Sequence, residues 1–486
     1  MSRPYPNDGQ PSPTFPIYSR GNLGEAFPNV ISPMTGSLML EASTRAQTRW
    51  FLETGALSRD QVNAPANAMF VQFYGYLYAN ASLARIAAVR APGMRVDDID
   101  VQYGGVGVLP PYRPRRGDRS LVATLRMGRF ASRAFRSGDA ERARAAQREV
   151  DSWVSSLSPV RSASDADLLT RVRQASRWFE RMLPEMMTVT LHAGASRIVI
   201  ERMAAAAGQP DAANAITSGF GGVASASPPI ALWDLGRQVR QSSQLQNHFG
   251  QGVEGLDRRL RTDPECVEFV EAFDAFLRRF GYHGADELEL ASPKWGTDPD
   301  LALRIVERLR EAPDDRDPAE AAQTLKANRF AATARVRQKL RGPRRLLFDR
   351  AVGSASLYVP ERENTKAALV RALFEARRAL NELARRHLRR HLPPRARRAR
   401  AGSRRSCSVR LDDRSTPGPA QFAPAAGSAV LVRAPDLRPG RVAAPNRPRP
   451  EPGALDRGDD AGSGTRRQRG RRHRSRASDP RPERTR

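Results

Sequence analysis

"TKAALVRALFEARRALNELARR", residues 365–386, decides the fold. Leu369, Leu373, Ala376, Leu380 and Leu383 recur at spacings of 4, 3, 4 and 3. That rhythm lays them along one stripe of a helix, a seam that must face other helices. The expectation is a last long helix over roughly 365–391. Just beyond, "NELARRHLRRHLPPRARRARAGSRR" (381–405) passes from the same amphipathic pattern into Arg, Pro and Gly. The helix therefore also marks where the foldable body is expected to stop.

Upstream the same three-to-four periodicity recurs. It runs through "EASTRAQTRWFLETGAL", "AMFVQFYGYLYANASLARIAAV", "LVATLRMGRFASRAFR" and the long stretch from Asp165 to Gly208, which contains Pro184. "DAANAITSGFGGVASASPPIALWDLGRQVRQ" reads as helix, glycine turn, helix. Asp263 before Pro264 opens another helix that Gly281 closes. Residues 95–117 read as a Gly/Pro-punctuated loop. Residues 1–40 read as an extended segment whose Phe15, Ile17, Tyr18, Leu23 and Phe27 pin it across the body. The expected fold class is mainly α: an extended segment at 1–40, a multi-helix body at 41–391, and a disordered Arg/Pro-rich tail at 392–486.

The tail expectation rests on composition. Of 18 Phe, 5 Trp and 9 Tyr, only Phe422 lies beyond residue 391, so the side chains that offset folding entropy are missing there. The tail carries 24 Arg, no Lys and 9 acids, which accounts for +15 of the net +28. Such a strand neutralises phosphates, so a nonspecific nucleic-acid-binding arm is one reading. Aromatic interleaving for base stacking is absent. The other reading is a GC-rich gene translated out of frame, since Arg, Pro, Ala and Gly have GC-rich codons and Lys occurs only at 294, 326, 339 and 366.

Two cysteines, Cys266 and Cys407, exclude a disulfide scaffold and fit a reducing compartment. "MSRPYPNDGQPSPTFP" has no apolar leader, and no run of about 18 apolar residues occurs. A cytoplasmic protein without a membrane partner is expected. No nucleotide P-loop, H-E-x-x-H or metal-spaced Cys/His cluster is present, so no metal is expected.

"GFGGVAS" (219–225) is the one glycine-rich loop before a helix. Gly219, Gly221 and Gly222 either expose main-chain N–H groups to a phosphate or form a tight interhelical turn. His192 follows "MMTVTL" and reads as a packed core histidine. His387 and His391, one turn apart, suit either a metal or the C-terminus of a helix. His283 lies in "FGYHGADELELASPKW" (280–295), four residues before Glu287 and close to Asp286 and Glu289. An imidazole beside carboxylates serves as acid or base, or simply as a hydrogen-bonded loop residue.

Four segments, in order, resemble one family. "IYSRGNLGEAFPNVISPMTGSLM" (17–39), "FVQFYGYLYANASL" (70–83), "FGYHGADELELASPKWGTDPDLAL" (280–303) and "YVPERENTKAALVRALFEARRALNELARR" (358–386) resemble the central domain of phosphoenolpyruvate-utilising enzymes of the phosphoenolpyruvate synthase and rifampicin phosphotransferase type. In such enzymes an ATP-grasp domain phosphorylates a histidine on a swivelling domain, which carries the phosphoryl group to the central domain. The resemblance assigns Glu287 to the carboxylate of a Gly-x-Arg-Gly-x-x-Glu loop, with His283 standing where arginine is usual. It assigns Arg362, Glu363 and Lys366 to an Arg-Glu-Asn-x-x-Lys signature before the last helix. Capping and surface salt bridging are the alternative roles of these residues.

The resemblance also implies what other domains must supply. ATP, phosphoenolpyruvate and Mg are expected on missing or partner domains, with no cofactor on this chain alone. No ATP-grasp segment precedes residue 17 and no Ser-His-x-Ala motif follows the last helix, where only His473 remains. The expected function is an acceptor-binding or scaffold domain, inactive alone. It would take a small-molecule acceptor and a phosphohistidine or ATP-grasp partner chain. A nucleic-acid-binding protein and a ligand-free interaction scaffold are the alternatives.

Overall fold

The computed structural model describes residues 7–391 apart from 22, 25, 63–66, 105–108 and 225–226. The disorder, frame change and nucleic-acid arm expected of 392–486 lie outside the described residues. The chain runs through β1 (Tyr18–Ser19), α1 (Pro33–Thr54), α2 (Arg59–Val62) and a hairpin of β2 (Phe70–Phe73) and β3 (Tyr76–Asn80). Then come α3 (Ala81–Arg90), α4 (Val96–Gly104), α5 (Leu121–Ser132), α6 (Gly138–Ser156), α7 (Asp165–Ala206) and α8 (Ala212–Ile216). The remainder is α9 (Ser227–Gln241), α10 (Ser243–Gly250), α11 (Leu256–Thr262), α12 (Val267–Phe280), α13 (Asp300–Glu311), α14 (Pro318–Lys339) and α15 (Gly342–His391). The protein is mainly α, as its periodicity predicts.

Local chemistry moves three boundaries away from the sequence reading. α1 begins at Pro33, inside the stretch expected to be extended, because Ser32 accepts the Thr35 N–H at 3.2 Å and proline suits the first helical position. Residues 70–80, expected as helix, form the hairpin instead. Phe, Val, Tyr and Leu in that run are strand formers, and Tyr74 (φ 51°) with Gly75 (φ 79°) makes the two-residue turn a right-twisted hairpin needs. The Asp8 carboxylate fixes that turn by accepting both turn N–H groups at 3.0 Å. β1 then adds antiparallel to β3, giving the order β1-β3-β2. Finally, 96–104 is helical within the expected loop, with Asp97 and Asp98 in its first turn, where carboxylates oppose the helix dipole.

α7 and α15 are the frame. With 42 and 50 residues they extend about 63 and 75 Å. They run antiparallel: Asp165 meets Arg386 and Arg390, Arg171 meets Glu375, and Ser196 meets Ser354. The expected seam is real. Leu369, Leu373 and Ala376 are buried against Phe179, Met182 and Leu183 of α7 and Met39, Ala42 and Ala46 of α1, with Leu380 at the margin. α15 nevertheless starts at Gly342 rather than near 365, so Arg362, Glu363 and Lys366 lie within the helix, not before it. Pro360 forfeits one backbone hydrogen bond, yet burial of Phe348, Ala351, Ala355 and Tyr358 upstream keeps the helix continuous through it.

Two further cores flank this frame. α9–α13 close around Phe249, Phe269, Phe273, Phe276 and Phe280. The far halves of α7 and α15 meet α8 and α14 through Ile200, Ile216, Val336 and Phe348. Among the described residues no helix is long and apolar enough to cross a membrane.

Candidate functional site

The loop between α12 and α13 is built to hold its shape. The Trp295 N–H donates to the His283 carbonyl at 3.0 Å, and the Gly296 N–H to the Gly281 carbonyl at 2.8 Å. Gly296 permits close packing on α15, since a Cβ there would lie 2.8 Å from the Phe374 ring. Lys294, almost wholly buried, donates to the carbonyls of Ala285 (2.9 Å) and Asp286 (2.6 Å). Burial, reinforced by the neighbouring Arg377, lowers its ammonium to about 8 against the pull of Asp286, Glu287 and Glu289.

On this platform His283 Nδ1 lies 2.7 Å from Glu287 Oε1, and Lys366 Nζ reaches across from α15 to Glu287 Oε2 at 3.1 Å. Burial alone would raise the Glu287 carboxyl, but the His283 hydrogen bond and the Lys366 charge outweigh it and hold it at about 2. An ionised carboxylate only accepts, so Nδ1 carries the proton. Nε2 is buried and meets no hydrogen-bond partner among the described residues. The imidazole packs beside Tyr282 and Trp295, with ring centroids 4.2 and 5.6 Å away. A base oriented by a carboxylate, with a cation alongside, is equipped to take a proton from a hydroxyl group next to a negatively charged reactant.

This electrostatic arrangement predicts an acid-sensitive stability term. Glu287 stays ionised to about pH 2 in the folded protein but only to its ordinary 4.5 when unfolded. Its contribution is therefore complete above 4.5 and is lost as pH falls towards 2. Relative to Glu287→Gln, the wild type should be more stable at pH 6 by on the order of 2 kcal/mol, and the gap should shrink below pH 4.5 and close only below about pH 2. Urea midpoints measured across that range check it; a gap independent of pH would contradict it.

The other candidates are placed elsewhere. Arg362 pairs with its neighbour Glu363 at 2.7 Å on the exposed side of α15, and neither touches Glu287. Gly219 (φ 66°) abuts α14 so closely that a Cβ would fall 2.6 Å from the Leu325 backbone. The Gly222 carbonyl accepts from Asn364 at 3.2 Å, and the Ala224 N–H donates to Asn364 at 2.8 Å. Gly221 faces open space. The glycine loop is thus clasped to α14 and α15, and among the described residues none of its hydrogen bonds reaches the His283–Glu287 pair. His192 is fully buried with Nε2 2.8 Å from Asp139, and His387 lies against His391 at 4.3 Å between centroids.

Two groupings escape the spacing argument. Glu289, two residues beyond Glu287, accepts from the Ser32 and Thr35 hydroxyls at 2.7 Å each and from the Ser32 N–H at 3.1 Å, locking the loop to the start of α1. His248, Asp263 and Cys266 come together between α10 and α12, their donor atoms within 4.8 Å of one another. Each joins residues whose separation in sequence carries no period, although Asp263 is visible as a cap before Pro264.

The chain is similar to the central helical domain of phosphoenolpyruvate-utilising phosphotransferases. More particularly, residues 181–363 match the family model of the rifampicin phosphotransferase fourth domain. His283, Glu287, Arg362 and Glu363 fall within that match, and Lys366 lies just past it. A curated relative, the prodigiosin synthesizing transferase PigC of Serratia marcescens, is 33% identical over 82 residues, covering 17% of this chain and 9% of the relative. The similarity thus spans a small part of that protein.

Proposed function

We propose that this chain is the acceptor-side domain of a phosphoenolpyruvate-utilising-type phosphotransferase, with His283, Glu287 and Lys366 as its polar centre. It holds a hydroxyl-bearing small molecule and meets a phosphohistidine supplied by another domain or chain. One observation carries this reading. Two segments more than 70 residues apart, the His283–Glu287 loop and the α15 signature lysine, converge on one carboxylate. In the reaction the acceptor oxygen attacks phosphorus, the phosphorus–nitrogen bond of phosphohistidine breaks, and the hydroxyl proton passes to His283 Nε2. Lys366 offsets the charge on the phosphoryl oxygens. ATP, phosphoenolpyruvate and Mg belong to the donor.

The test supplies an ATP-charged phosphohistidine fragment of a rifampicin phosphotransferase and follows loss of phosphohistidine, with water, rifampicin and a panel of aromatic alcohols as acceptors. The chain should accelerate phosphoryl transfer to at least one acceptor. His283→Ala should slow that transfer at least about a hundredfold, the lower bound for losing a positioned base. Phosphohistidine decaying at the donor's own rate with every acceptor would refute the proposal, as would a His283→Ala variant that transfers as fast as wild type.

A further inference from the structure

The second grouping lies in the α9–α13 layer, outside the proposed transfer site. His248, in the last turn of α10, places Nε2 2.7 Å from Asp263 Oδ2. Asp263 is held by three more contacts: Oδ2 accepts from Gln244 Nε2 at 2.6 Å, Oδ1 accepts the Glu265 N–H at 2.9 Å as the cap of the turn Pro264–Cys266, and the carboxylate accepts from the Cys266 thiol. Cys266, at the end of that turn, is 1% exposed. One donor atom from each of the three residues lies within 4.8 Å of the others.

His248 Nδ1 is buried and has no hydrogen-bond partner among the described residues, so Nε2, which faces Asp263, is the ring nitrogen offered to a ligand. The side chains of His248 and Asp263 keep 15% and 17% exposure, whereas Cys266 is closed to solvent.

We propose that His248, Asp263 and Cys266 bind a divalent cation of the zinc class, with water as the fourth ligand. The donor set selects the metal. A thiolate and an imidazole favour zinc over magnesium or calcium, which take oxygen ligands. Zinc bonds of about 2.0 Å to nitrogen and oxygen and about 2.3 Å to sulfur require donors a little over 3 Å apart, so donors now within 4.8 Å of one another must draw together around the cation. The His248–Asp263 contact instead opens by about half an ångström, and the cation replaces the shared proton. Gln244 and the Glu265 N–H then act as the outer partners that fix the carboxylate. Binding releases the thiol proton to solvent. The metal ties α10 to the start of α12 and needs nothing from residues 283–366.

Cobalt titration of the full chain in a Cys407→Ser background tests this, because Cys266 is then the sole thiol. One equivalent of Co(II) should give a thiolate-to-cobalt charge-transfer band, and Zn(II) should abolish it by displacement. Cys266→Ser should remove the band. His248→Gln, at a partly exposed site that tolerates an amide, should weaken binding by more than the about 10–100-fold that loss of an outer partner costs. Far-ultraviolet circular dichroism verifies that both variants are folded. No band in the folded parent, or a band indifferent to His248→Gln, would overturn the proposal.

Discussion

Replacing Glu289 by alanine is expected to cost about 2–3 kcal/mol, the upper part of the range for leaving hydrogen-bond donors without a charged acceptor. The carboxylate makes three bonds to the start of α1, to the Ser32 N–H, the Ser32 hydroxyl and the Thr35 hydroxyl, and a fourth to the Ala291 N–H at 2.7 Å. It also offsets a charge. Arg377, 8% exposed, donates to the Leu290 carbonyl and is pushed by burial down to about 10, with Glu289 opposing that push. Alanine would leave several donors without their acceptor, each loss costing about 1–3 kcal/mol, and would remove a negative charge near Arg377. Glu289→Gln, which keeps an acceptor oxygen and loses only the charge, should cost roughly half as much. Urea unfolding read by tryptophan fluorescence distinguishes the two. A loss under about 1 kcal/mol for the alanine variant would mean that water replaces the carboxylate freely.

A second, larger effect is expected at the centre of the helix pair. Arg171 of α7 and Glu375 of α15 are each nearly inaccessible, 3.4 Å apart, with Arg378 adding a second contact to the carboxylate at 2.9 Å. Arg171 also donates to the Ser158 carbonyl. Glu375→Ala alone should destabilise the protein by about 3–5 kcal/mol, because the buried Arg171 is left without its partner. The double replacement Arg171→Met, Glu375→Leu should recover most of that loss, since two apolar side chains of similar volume remove both desolvation penalties. A thermodynamic cycle over the singles and the double measures the coupling. Strictly additive losses would show that the two groups do not interact.

These two sites show how unevenly sequence reports structure. The α15 seam is legible because Leu369, Leu373 and Ala376 repeat with the helical period, and the His283–Glu287 pair because both members lie four residues apart in one loop. Lys366 is legible only through family resemblance. Its contact with Glu287 is tertiary, set by where α15 crosses the loop. The hairpin at 70–80 is misread since its aromatic run satisfies a period of three to four as readily as two, and the Tyr74–Gly75 turn decides the matter. Pro360 misleads in the opposite direction: a residue that usually ends helices sits inside one held by buried neighbours on both sides. The Glu289 lock and the His248–Asp263–Cys266 grouping leave no mark in sequence, because their members meet only once the chain has folded.

The antiparallel register of α7 and α15 has a kinetic consequence. The apolar face of α7 leaves the ribosome well before its partner, and all of α8–α14 is synthesised between them. The aromatic layer of α9–α13 draws its core from one contiguous stretch and is expected to condense early. α7 must wait for α15, with Phe179, Met182 and Leu183 exposed to other nascent chains in the interval. Maturation of this protein is therefore expected to be slow at the final closure of the long pair. A chaperone that shields α7 during translation should raise the yield of native chains more than one that acts after release.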